Sequence, residues 1–110
     1  MSWLLTTPIA VGALDTAPYA EVLIVRQSHD SVRGFIMLNL EYGNTDGYGV
    51  WHPGMQPRGL TTFVQISGAD YATLVTGATP VANEKTYDAV KRALYLYMAS
   101  KSIIGAGTIK

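Results

Sequence analysis

The run Gly34-Phe35-Ile36-Met37-Leu38-Asn39-Leu40-Glu41-Tyr42 decides how this chain folds. Its apolar positions recur every second residue. Ile36, Leu38, Leu40 and Tyr42 fall on one face of a strand, and Phe35, Met37, Asn39 and Glu41 fall on the other. The first set reads as core-facing. The second begins apolar and ends polar, which leaves part of that face a candidate for covering. Just upstream, Val22-Leu23-Ile24-Val25 within Ala20–Gln27 is apolar on both faces, the pattern of a strand covered on both sides. Ser28-His29-Asp30-Ser31 lies between the two runs and supplies turn chemistry, because short polar side chains cap their own backbone. The sequence therefore predicts an antiparallel hairpin.

Gly43–Gly59 follows and is punctuated throughout by glycine and proline. Asp46-Gly47 suits a turn, Tyr48–Trp51 a short return strand, and His52–Gly59 an irregular loop. Tyr48, Trp51, Met55 and Arg58 are residue types enriched at interfaces. Two readings stand side by side: a loop that anchors another chain, or a loop folded over its own sheet with Trp51 capping the core. Leu60–Ser67 restores alternation, with Thr62, Val64 and Ile66 on one face. Ser67 then caps a short helix over 68–76 that carries Asp70, Tyr71 and Leu74, with Gly77 as its stop.

The clearest helix spans 86–101. Tyr87, Val90, Ala93, Leu94, Tyr97 and Met98 form one stripe, acidic Glu84 and Asp88 stand near its start, and Lys91, Arg92 and Lys101 follow. Tyr95 and Leu96 point off that stripe, so the helix is either buried on two sides or meets a partner there. Residues 1–19 read as an extended arm or edge strand carrying Trp3-Leu4-Leu5, and 102–110 as an apolar tail with Ile103 and Ile104. Apolar termini of this kind are costly to leave in water. The expected fold is a single α+β domain over 1–110: a small antiparallel β-sheet, as a sandwich or half-barrel, packed by a C-terminal α-helix, with extended termini.

Composition narrows the function classes. Only 15% of the 110 residues are charged, with eight acidic and eight basic side chains, against about 25% in an average soluble domain. That balance argues against electrostatic nucleic-acid binding. Residues 1–80 carry a net charge of minus three and residues 81–110 plus three. Such halves attract either within one subunit or head to tail between subunits. There is no cysteine, hence no disulfide, thiolate nucleophile or cysteine-held zinc. No apolar run approaches a membrane span, and Met1–Pro8 lacks the basic start of a secretory signal.

Ser28-His29-Asp30 has the residue types of a hydrolytic triad, but neighbours in an extended chain point to opposite sides. His29 and His52 are too few for a three-histidine zinc site, and Asn44-Thr45-Asp46-Gly47 lacks the remaining ligands of a calcium loop. No phosphate-cradling glycine motif is present. Neither a cofactor nor a catalytic group is nominated.

The low-charge β domain, the Gly/Pro/Trp loop and the helix Thr86-Tyr87-Asp88-Ala89-Val90-Lys91-Arg92-Ala93-Leu94-Tyr95 together resemble small virion proteins of tailed bacteriophages. The resemblance covers the pattern of the whole chain. It implies a non-enzymatic subunit of a tail, baseplate, head–tail connector or capsid decoration, assembled in the host cytoplasm with copies of itself and other structural proteins of the particle. The resemblance carries over no functional residues; the loop's residue types, the apolar chain ends and the off-stripe pair of the helix are what place Trp3, Leu4, Leu5, Tyr48, Trp51, Met55, Arg58, Tyr95, Leu96, Ile103 and Ile104 at the expected interfaces. The alternative is a monomeric module that binds a small ligand or glycan through Tyr48 and Trp51.

Overall fold

The computed structural model describes residues 1–9, 18–54, 60–77 and 85–110. Six strands and two helices follow in the order β1 (Trp3–Ile9), β2 (Tyr19–Asp30), β3 (Phe35–Thr45), β4 (Trp51–Pro53), β5 (Phe63–Ser67), α1 (Gly68–Gly77), α2 (Thr86–Ser100) and β6 (Gly107–Ile109). All pairings are antiparallel in a single sheet ordered β4-β3-β2-β1-β6, with β5 beside β4 on the outer flank of β3. The fold is α+β, and the second layer consists of helices.

The alternation in β3 is realised as expected. Ile36, Leu38, Leu40 and Tyr42 are all buried, and each of Phe35, Met37, Asn39 and Glu41 is half-buried. Register carries this division across the sheet: Trp3 pairs with Val22, Ile24 with Leu40, and Leu38 with Val64. These residues meet Leu94, Tyr95 and Met98 of α2 in one core, with Tyr71 and Leu74 of α1 packed against it. Burial of these aliphatic side chains, each worth about 1.5–3 kcal/mol, is the main force holding the two layers together.

Four expectations are corrected. The hairpin turn is Ser31–Gly34, not Ser28–Ser31, so β2 continues through His29 and Asp30. Asp30 Oδ1 accepts the Val32 and Arg33 N–H groups, and Gly34 takes a φ of 76° to close the turn. Second, β2 is not covered on both faces, since Leu23 is half-buried and Val25 is exposed at a register shift between Ile24 and Arg26. Third, the return strand over Tyr48–Trp51 begins only at Trp51, because Asp46 holds the intervening residues in a turn.

The fourth concerns the termini. Over Trp3–Leu5, β1 is neither an arm nor an edge, because the C-terminal tail returns as β6 and pairs outside it. Ser102, at φ 58°, ends α2 in the left-handed conformation, and Ile103 N–H returns to Met98 C=O. That reversal sends Ile104 into the core. Gly107 then approaches β1 so closely that a Cβ there would lie 2.1 Å from the Leu4 carbonyl oxygen. Only glycine permits this pairing.

Candidate interaction surface

Both helices pack on one side of the sheet, so the other side has no second layer among the described residues. Register assigns to it Leu4, Glu21, Leu23, Arg26, Ser28, Asp30, Phe35, Met37, Asn39, Glu41, Thr45, Phe63 and Gln65. A solvated antiparallel face is normally polar. Here it mixes charges with apolar groups: Leu4 is 41% and Phe63 54% exposed, and Leu23, Phe35 and Met37 are half-buried.

Its one buried charge is Glu21, 3% exposed, among the described residues. The carboxylate accepts hydrogen bonds from Ser2 Oγ at 2.8 Å, Thr45 N–H at 2.8 Å and Thr45 Oγ1 at 3.2 Å, and meets Lys110 Nζ at 3.1 Å. Burial alone would raise its pKa. The four donors outweigh that and hold the carboxyl below its ordinary value. Beside it a shallow depression of about 250 Å³ is lined by Met1, Ser2, Leu23, Thr45, Trp51 and Lys110. Trp51 donates Nε1–H to Glu41 Oε1 at 2.9 Å, so its ring lies half-buried against its own sheet.

At the tip of the β3–β4 connection, Asp46 accepts the Tyr48 and Val50 N–H groups and bonds His52 Nε2 at 2.7 Å. His52 first, then the two backbone donors, hold its carboxyl low. This turn lifts Tyr48 away from the body, where it is 95% exposed. Tyr48 thus stands in solvent while Trp51 lies against the sheet.

The other expected interface residues divide. Trp3 and Tyr95 stack with ring centroids 6.2 Å apart, at 2% and 0% exposure, and Leu5 and Ile104 are buried with them. These four belong to the chain's own core, because β6 covers β1 and the packing stripe of α2 runs through Leu94, Tyr95 and Met98. Ile103 is half-buried, and Leu96 is 47% exposed on α2. Met55 and Arg58 lie outside the described residues. Glu21, Ser2, Thr45 and Lys110 were not expected. An acidic residue inside the apolar run Ala20–Val25 was the signal available.

Among the described residues no three His, Asp or Glu side chains gather as metal ligands. Ser28-His29-Asp30 is dispersed, with His29 Nε2 bonded to Tyr71 Oη at 2.5 Å and Asp30 capping its turn. No described helix is long and apolar enough to cross a membrane. Comparison with protein-family models, curated proteins and solved structures found no match.

Proposed function

We propose that this chain is a non-enzymatic structural subunit that assembles with copies of itself, and with other structural proteins, into a larger particle. A virion of a tailed bacteriophage is the particle its sequence pattern resembles. The observation that carries the reading is the sheet face that no second layer covers among the described residues, on which Leu4, Leu23, Phe35, Met37 and Phe63 stand among charged residues. Sheets bury their apolar faces against another layer, and a neighbouring subunit supplies one. The low overall charge agrees with this, since charged side chains are depleted where interfaces form.

Molar mass by light scattering across a concentration series tests the reading. The expected result is a discrete oligomer that Phe63→Asp dissociates while leaving circular dichroism and melting temperature unchanged, because Phe63 lies outside the core. A wild-type chain that stays monomeric at every concentration overturns it. Deletion of residues 1–8 is unsuitable as a test, since it removes an inner strand together with Trp3.

A further inference from the structure

Strand β2 has two described strand neighbours only around Glu21 and Val22, and beyond Val22 it keeps β3 alone. β1 pairs with it as far as Val22, and the next inward-facing amide, Ile24 N–H, is taken by Tyr95 Oη at 2.9 Å. From Val25 onward β3 continues to pair on one side, down to Asp30 opposite Phe35. No described strand lies on the other. Exposure follows the same division: Val25, Arg26, Gln27, Ser28 and His29 are all exposed, although Gln27 and His29 belong to the helix-covered face. An unpaired strand edge of this kind is a template for another strand.

Resting on the assembly reading, we infer that a second copy of this chain pairs with this edge, β2 against β2, antiparallel about Ser28. The charge pattern selects both the occupant and the register. A twofold axis at Ser28 sets Arg26 opposite Asp30 of the second copy and Asp30 opposite its Arg26, with Gln27 opposite His29. Arg26 and Asp30 lie on the open face of the sheet, since they pair with Asn39 and Phe35, so both ion pairs form on one side of the joined sheet. Parallel pairing in register would instead set Arg26 against Arg26 and Asp30 against Asp30. Asp30 is available for the contact: its Oδ1 caps the turn, and its Oδ2 meets exposed Arg33 only at 3.7 Å. The product is one continuous sheet through two subunits. The exposed bulge at Val25 ends the paired segment.

A charge-swap series on the full chain tests this by light scattering. Arg26→Glu sets like charges opposite each other twice and is expected to raise the dissociation constant of the dimer about tenfold or more. Asp30→Lys does the same with the opposite sign. An equimolar mixture of the two variants restores both attractions and is expected to form a heterodimer of wild-type strength. Because Asp30→Lys also removes a turn cap, Arg26→Lys serves as a second control that keeps the charge and the association. Amide exchange provides a direct readout: the amides within 26–30 that point away from β3 are protected in the wild-type dimer and lose that protection in Arg26→Glu. An oligomer insensitive to Arg26→Glu, with no protection of those outward amides, overturns the edge pairing while leaving the assembly reading intact, and frees that edge for the strand of a different protein. A monomeric wild type overturns both.

Discussion

The two halves of β2 have the same backbone and opposite surroundings. Tyr19–Ile24 is flanked by β1 as far as Val22 and by β3 from Glu21, with Tyr19, Glu21, Val22 and Ile24 buried, whereas Val25–Asp30 has no described strand on its outer side and hardly a covered side chain. The difference does not come from β3, which pairs with both halves. It comes from where β1 stops and from α2, whose Tyr95 closes the last covered amide. One strand thus serves as core at one end and as surface at the other. Stability and association are expected to separate along its length.

Two substitutions on the helix-covered face probe that separation most strongly. Ile24→Ala is expected to cost about 2–5 kcal/mol, through lost burial and the cavity it leaves. Gln27→Ala, on the same face beyond the bulge, is expected to change stability by less than about 0.5 kcal/mol. Urea unfolding of both variants measures the contrast, and equal losses would erase the distinction between the halves.

The boundary itself comes next. Tyr95 is fully buried, stacks on Trp3 and caps the Ile24 amide. Tyr95→Phe keeps the stack and removes the hydroxyl, leaving a buried N–H without its partner, and is expected to cost about 1–3 kcal/mol. A loss near zero in chemical denaturation would show that water reaches this amide, which would place the edge one residue earlier.

The smallest effect is electrostatic. Folding holds Glu21 below its ordinary pKa of 4.5. The stability it contributes is therefore complete above that value and lost as pH falls through the lower folded value. Denaturation midpoints between pH 7 and pH 3 are expected to fall more steeply in the wild type than in Glu21→Gln. Parallel slopes would mean that Ser2, Thr45 and Lys110 do not favour the ionised form.

Much of the core was legible. Ile36, Leu38, Leu40 and Tyr42 share a face because a two-residue period leaves no other arrangement, and the 3.6-residue stripe of α2 located Leu94 and Met98 in the same way. The hairpin turns later than the turn residue types of Ser28-His29-Asp30 suggest, because whether such residues turn or extend depends on the strand that pairs with them. Trp3, Leu5, Tyr95 and Ile104 look like surface anchors in a linear reading, since apolar residues near chain ends are equally suited to a partner or to the chain's own sheet.

What the sequence determined by itself was local: alternation, helical stripe, turn chemistry, and the low charge that makes a neutral surface. These follow from the geometry of a few consecutive residues. The tertiary structure alone decided which strand is inner and which is edge. That outcome depends on β6 pairing with β1 across about a hundred residues of chain, on Glu21 gathering Ser2, Thr45 and Lys110, and on Tyr95 reaching Ile24. No local period encodes contacts between residues so far apart. They arise only when the hydrophobic faces close on one another and every buried polar group must find its partner.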